Sequence, residues 1–233
     1  MPDYFNFINL NQINISLIWS SDKNSLSQDS LRNQLMVQEY ENLIQALLEK
    51  GFGSVDNWFS TLEIEGLRKE LLLRYENDAF RLAGIGNKLN LQKEKTIRND
   101  KIHWLKQDTE NPFEVQFFKR IEAFSDYLNR TCFAGISTFE FHYAVYEPGS
   151  FYKRHSDQFN NDDCRRFSFV LYLNESWESD DGGELVIYTD QSNYILPSAG
   201  KVVFFSSELE HEVKVSNAQR LSLTGWLRTN KVF

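Results

Sequence analysis

Apolar residues in the first part of the chain recur at helical spacing. Leu31, Leu35, Met36, Tyr40, Leu43, Ile44, Leu47 and Leu48 predict a helix over 31–50 with one buried face and Gly51 as its C-terminal cap. After a short apolar stretch around Phe52 and Val55, Ser60-Thr-Leu-Glu63 reads as a capping box, in which serine and glutamate side chains satisfy each other's backbone amides. The helix it opens runs through Leu62, Leu67, Leu71 and Tyr75 and is expected to span 60–85, closed by Ala83-Gly-Ile-Gly86. Polar residues from Asn87 to Asn99 predict a loop. A third helix is expected over 111–130, because Asn111-Pro112 puts proline in a first turn and Phe113, Phe117, Phe118, Ile121, Phe124 and Leu128 mark one face.

Beyond Gly135 the texture changes to short β-type runs at 139–146, 166–173, 184–188, 201–205, 211–215 and 220–227. Glu147-Pro-Gly-Ser150, Asp180-Asp-Gly-Gly183, Pro197-Ser-Ala-Gly200 and Ser216-Asn-Ala-Gln219 are turn sequences between them. Helices first and regularly spaced strands afterwards predict an α+β chain. Its expected core is a double-stranded β-helix, the cupin-like jelly roll, over 136–228, braced by the N-terminal helices. The expected division is an N-terminal extension with the first helix (1–50) and one main domain (51–233).

Composition narrows the class. The 233 residues are 41% hydrophobic and 25% charged, enough apolar material for a core, which excludes a disordered or collagen-like chain. A net charge of −8 supplies no basic field for phosphate, so no nucleic-acid partner is expected. The N-terminal stretch MPDYFNFINLNQINISLIW has no Lys or Arg ahead of its apolar residues, and no apolar run is long enough for a bilayer; neither a secretory leader nor a membrane partner is expected. Two cysteines, Cys132 and Cys164, are too few for a disulfide scaffold and suggest a reducing, cytoplasmic setting.

Candidate chemistry sits in the strand-rich half. His155-Ser-Asp157 is an HxD tripeptide, and residues two apart on a strand point to the same side, so one imidazole and one carboxylate there can grip a single metal ion. Exposed His/Asp pairs are commonly just solvated surface. His211 opens a later strand and Arg220 follows nine positions on, across a turn. Two histidines and one carboxylate make the facial triad that leaves positions open on Fe(II), and a nearby guanidinium fork suits the far carboxylate of a 2-oxoacid. His103 and His142 have no partner motif and read as structural, and Cys164 reads as an inert thiol.

With these residues in place, the chain resembles the prolyl hydroxylase branch of the Fe(II)- and 2-oxoglutarate-dependent dioxygenases over roughly Gly51 to Leu227, with its nearest likeness to the hypoxia-inducible-factor prolyl hydroxylases and their bacterial relatives. Ile97-Arg-Asn-Asp-Lys-Ile-His-Trp104 is similar to that family's IRGDKI-x-W segment, with Asn99 in place of glycine. Tyr146 to Asp157 resembles its Y-P-G-x-x-Y-x-x-H-x-D run, with Glu147 before the proline. Leu171-Tyr-Leu-Asn174, Gly182-Gly-Glu-Leu185, His211-Glu-Val213, Arg220 and Trp226 stand in the family's order, and Gly51 to Asp56 resembles its opening strand.

The resemblance implies that His155, Asp157 and His211 ligate Fe(II) and that Arg220 and Tyr172 hold the distal carboxylate of 2-oxoglutarate. It places Tyr146 and Tyr152 near metal and cosubstrate, makes Val170, Leu185 and Val213 pocket walls, and puts Trp226 near the product side. Core packing explains the apolar ones equally well. Asp100 and Arg165 resemble a charged latch that ties the 87–99 loop, a candidate lid, to the sheet beside Trp104. The implied cofactors are Fe(II), 2-oxoglutarate and O₂, with ascorbate as reductant, and the implied partner is a polypeptide with a target proline, the translation factor EF-Tu being one candidate. A free amino acid or other small molecule as substrate, a non-catalytic iron- or 2-oxoacid-sensing jelly roll, and a cosubstrate-free cupin enzyme are the competing readings, and the sequence sets no oligomeric state.

Overall fold

The structure, a computed structural model, describes residues 28–84, 96–158 and 164–230, with side chains from residue 34 onward. The N-terminal extension up to residue 27 and residues 87–95 of the predicted 87–99 loop therefore lie outside the described residues. By its contacts the chain divides into two units, Met1–Leu35 and Met36–Phe233, of which the second holds both sheets and the core. Within helix α1 (Gln28–Lys50), Tyr40, Leu43 and Ile44 belong to the main core, where Tyr40 packs against Trp58 and Phe124.

Helix α2 (Thr61–Glu76) opens on the predicted capping box, with Glu63 N–H donating to Ser60 Oγ at 3.3 Å and Ser60 N–H to Glu63 Oε2 at 2.7 Å. It corrects the expected span of 60–85, ending nine residues earlier. The Asn77 amide donates to the Leu73 carbonyl at 2.8 Å, and Asp78 takes a left-handed φ of 55°, through which a right-handed helix cannot run. Strand β2 (Arg81–Leu82) follows. The buried face is Ile64, Leu67 and Leu71, while Leu62 points to solvent. Helix α3 (Pro112–Cys132) is capped by Asn111, whose Oδ1 accepts from Phe113 N–H and Glu114 N–H. The ring of Phe113 lies flat over Gly66 of α2, where a Cβ would come within 2.4 Å of it, so this helix crossing requires glycine.

The remaining strands are β1 (Phe52–Val55), β3 (Lys101–Trp104), β4 (Ile136–Tyr146), β5 (Tyr152–His155), β6 (Arg165–Tyr172), β7 (Leu185–Tyr188), β8 (Ser192–Ile195), β9 (Val202–Ser206), β10 (His211–Val213) and β11 (Arg220–Thr229). They form a seven-stranded sheet ordered β1-β9-β6-β11-β4-β3-β2 and a four-stranded sheet ordered β5-β10-β7-β8, every pairing antiparallel. This is the jelly-roll arrangement. No helix among the described residues is long and apolar enough to cross a membrane.

Strand periodicity divides the large sheet into two faces. One face presents Phe141, Tyr143, Val145, Phe169, Leu171, Phe204, Leu223 and Leu227 to the helices in a single aromatic-rich core. The alternate residues face the small sheet. There Val170, Tyr172, Val203 and Phe205 meet Leu185 and Ile187, and Ala144 and Tyr146 meet Val213 and Tyr152.

Candidate active site

Register brings the candidate metal ligands together. His211 of β10 is the cross-strand partner of His155 at the end of β5, and Asp157 follows in the turn after β5. Oδ1 of Asp157 lies 3.7 Å from His155 Nε2 and Oδ2 lies 3.5 Å from His211 Nε2; one donor atom from each residue falls within 4.8 Å of the others. Both imidazoles turn Nδ1 toward a backbone carbonyl, His155 to Lys153 at 2.7 Å and His211 to Leu209 at 3.0 Å. A carbonyl only accepts, so Nδ1 carries a proton and Nε2 is the nitrogen turned toward the carboxylate, the one left for a metal.

Asp157 is braced twice. Its N–H donates to the Ser207 carbonyl at 3.1 Å, and its Oδ2 accepts from Ser168 Oγ at 2.7 Å. Ser168 Oγ is 2.9 Å from Ser207 Oγ, and since its one proton goes to Asp157, Ser207 is the donor of that second bond. Both serines are fully buried. Burial alone raises the Asp157 carboxyl, but His211, His155 and Arg165 outweigh it and hold the carboxyl well below its usual range. Burial pushes His211 down to about 4, against the pull of Asp157. At neutral pH the site offers one carboxylate and neutral imidazole nitrogen, a donor set that fits Fe(II).

The second feature is a buried cation. Arg220 is 2% exposed at the start of β11, with its guanidinium carbon 4.8 Å from the ring centre of Tyr146 and 4.9 Å from that of Tyr172. Its Nε donates to the Gly183 carbonyl at 3.0 Å and Nη1 reaches Ser222 Oγ at 3.4 Å, but no carboxylate pairs with it among the described residues. Gly183 has φ +66°, which favours glycine, and a Cβ there would sit 2.8 Å from Ser216 Oγ and crowd Arg220 Cδ at 3.2 Å. The Tyr172 hydroxyl is buried without a partner, and a guanidinium cannot accept its proton. Burial raises this phenol against the influence of Arg220, so the proton stays on. A buried unpaired guanidinium beside a buried unpaired hydroxyl fits a carboxylate of a bound anion.

The other residues singled out in the sequence distribute around these two features. Val170, Tyr172 and Leu185 share one apolar cluster; Val213 packs with Tyr146 and Tyr152 in another. Trp226 carries the Arg165 guanidinium 3.4 Å from its ring centre and lies 6.1 Å, ring to ring, from the half-exposed Trp104.

The predicted Asp100–Arg165 latch is not formed among the described residues and is corrected. Both oxygens of the fully buried Asp100 are taken by Arg98, at 2.8 and 2.6 Å, while Arg165 pairs with Glu140 at 2.9 Å. Proximity in sequence decides it: Arg98 and Asp100 lie on one short segment and reach each other directly. Sequence reasoning also missed Ser168 and Ser207, and it read His142 as merely structural. His142 is buried on the small-sheet side of β4, 5.5 Å from the Trp226 ring, with an unpartnered Nδ1. Its signal was strand parity with Ala144 and Tyr146. His103 points the other way, Nδ1 at 3.0 Å from the Ala79 carbonyl.

Comparison with known proteins agrees with this geometry. Residues 141–228 match the model of the 2OG-Fe(II) oxygenase superfamily. A solved prolyl-4-hydroxylase of Pseudomonas putida is 32% identical, with a TM-score of 0.75 over 82% of this chain and 99% of that one. A Trichoplax adhaerens prolyl hydroxylase, solved with a hypoxia-inducible-factor peptide fragment, has a TM-score of 0.77 at 24% identity, over 85% of this chain and 93% of that one, and shares the fold. Prolyl 3-hydroxylase OGFOD1 of Mus musculus is 39% identical over 75 residues, 27% of this chain and 14% of its own length. The chain spans less than half the length of the curated relatives it matches.

Proposed function

The chain belongs to the 2OG-Fe(II) oxygenase superfamily, and from that premise we propose that it hydroxylates a prolyl residue of a polypeptide, consuming 2-oxoglutarate and O₂ and releasing succinate and CO₂. The observation that carries the reading is the buried Arg220, without a carboxylate partner among the described residues, set over the ring of Tyr146, which clusters with the Tyr152 that stacks on His155 of the His155, Asp157 and His211 group. His155, Asp157 and His211 would hold Fe(II), which with 2-oxoglutarate and O₂ supplies the oxidant for a C–H bond.

The protein's own residues do the rest. Arg220 pairs with the distal carboxylate of the cosubstrate and Tyr172 donates its hydroxyl proton to the same group. Val170, Leu185 and Val213 exclude water from the aliphatic part. Trp104, half-exposed beside the buried Trp226, gives an aromatic surface of the kind on which proline rings pack, which supports a polypeptide substrate. EF-Tu is one candidate target within that reading. Neither cysteine forms a disulfide, which supports a cytoplasmic location.

The test is succinate formation by the full chain with Fe(II), 2-oxoglutarate and ascorbate, in the presence of EF-Tu or proline-containing peptides, with mass spectrometry of the products. Succinate matched by a 16 Da gain on proline supports the proposal. Iron-loaded protein that hydroxylates free proline but no peptide, or turns over no 2-oxoglutarate with either, overturns it.

A further inference from the structure

The two histidines of the metal cluster are supported differently. His211 is buried, with Phe205 edge-on to its ring at 4.8 Å. His155 is the most exposed of the three, and its ring lies parallel to Tyr152, 17° between planes and 3.5 Å between centres. Its Nδ1 bond to Lys153 sets the tautomer. The ring plane needs a second constraint, and the Tyr152 stack supplies it.

Tyr152 is itself held. The Arg98 guanidinium lies over its ring, 4.1 Å from the centre, and that guanidinium is fixed by the bidentate bond to Asp100. The backbone repeats the connection. Arg98 forms a β-bridge to Tyr152, Lys153 N–H donates to the Ile97 carbonyl at 2.9 Å, and Phe151 N–H donates to Asn99 Oδ1 at 2.8 Å. Residues 97–99 thus lie as an added strip along β5, the strand that ends in His155. The planar guanidinium is suited to this role, since it can meet a carboxylate through two parallel bonds and a ring through its face at once.

We infer that Arg98 is a positioning residue for the metal ligand His155, acting through the ring of Tyr152 and fixed by Asp100. The inference rests on the reading of the His155, Asp157 and His211 cluster as a metal site. Arg98 touches neither metal nor cosubstrate; its effect reaches the metal only by way of the tyrosine.

The test measures Co(II) binding to the full chain by its visible absorption bands, which report ligand geometry independently of turnover. Because removing Arg98 alone strands a buried carboxylate, the variant is Arg98→Met/Asp100→Asn, which removes both charges together. Its expected Co(II) affinity is about tenfold below the parent, at the lower end of the effect of losing outer support for a ligand, with altered bands. Tyr152→Leu loses a similar factor and Tyr152→Phe, which keeps the ring, does not. Adding Arg98→Met/Asp100→Asn to Tyr152→Leu costs nothing more, as a shared route requires.

Asp157→Ala separates this inference from the metal reading. If it leaves Co(II) affinity intact, the metal site itself is wrong. If it abolishes binding while Arg98→Met/Asp100→Asn stays within twofold of the parent, or adds its full tenfold to Tyr152→Leu, the metal site stands and the role of Arg98 is overturned. Melting of each metal-free variant identifies loss of fold. Should Arg98→Met/Asp100→Asn not fold, Arg98→Lys decides: unchanged affinity and bands overturn the inference, and a weaker site with shifted bands supports it.

Discussion

The two faces of the seven-stranded sheet come from alternate residues of the same strands and differ in chemistry: one is apolar, the other mixes apolar and polar groups. Toward the helices, β4, β6, β9 and β11 present Phe141, Phe169, Phe204 and Leu227, and the rings pack edge-on in a dry layer. Toward the small sheet β4, β6 and β11 present His142, Ser168, Ser222 and Arg220 beside the apolar Val170, Val203 and Phe205, all four buried and all four capable of hydrogen bonding. Apolar packing stabilises the first face without needing a partner. The second keeps buried polar atoms without a protein partner among the described residues, His142 Nδ1, the Tyr172 hydroxyl and Trp226 Nε1, at a cost in stability that binding a ligand can offset. One side of a sheet can thus hold the fold while the other stays poised for chemistry, with a single residue step between them.

Substitutions on the two faces sharpen the contrast. The largest effect is expected on the dry face: Phe169→Ala removes a ring that meets Trp58, Phe117 and Phe141 and should lower unfolding free energy by about 3–5 kcal/mol, read by urea melts. Turnover per folded molecule stays within twofold. Arg220→Met does the reverse. The cosubstrate KM rises roughly 100-fold, from losing a buried charged contact worth about 3 kcal/mol, while the melting temperature holds or rises because an unpaired buried cation is gone. A fall in stability with unchanged KM would break the comparison.

Ser168→Ala tests how the polar face holds its ligand. With no hydroxyl on Oδ2, Asp157 loses orientation, and metal affinity should drop about tenfold; Ser168→Thr, which restores the donor, should recover it. A last effect concerns acid. Burial, with Arg98 adding to it, pushes His142 down to about 3, below the 6.5 of an exposed histidine. A depressed folded value means that the unfolded chain takes the proton first. Stability from this group is therefore present above pH 6.5 and is lost as pH falls toward 3, by at most about 1.4 kcal/mol per pH unit. Metal-free His142→Phe should lose less melting temperature than the parent between pH 7 and pH 5; an equal loss would show that His142 does not titrate with folding.

Much of the fold was legible because local rules act within a few residues. The Ser60/Glu63 capping box, the Asn111-Pro112 start and the alternation along β4, β6 and β11 all carry their cause in the sequence around them. The end of α2 was not, because Asn77 and Asp78 stop it by backbone geometry while the apolar spacing continues past them. Short β2 and β8 have no pattern of their own and exist through their neighbours.

The site divides in the same way. The HxD tripeptide, His211 and Arg220 are visible because few residue types do that chemistry, so type and order alone identify them. The inventory is therefore written in the chain: one carboxylate, two imidazoles, one guanidinium, and strands able to carry them. Which groups are paired and which are left waiting was settled by folding. Asp100 went to Arg98 and not to Arg165, Ser168 and Ser207 met under Asp157, and Arg220 was buried without a counter-charge among the described residues. Hydrogen bonds and ion pairs act over about 3 Å, and across residues distant in sequence that proximity is set by strand register and burial.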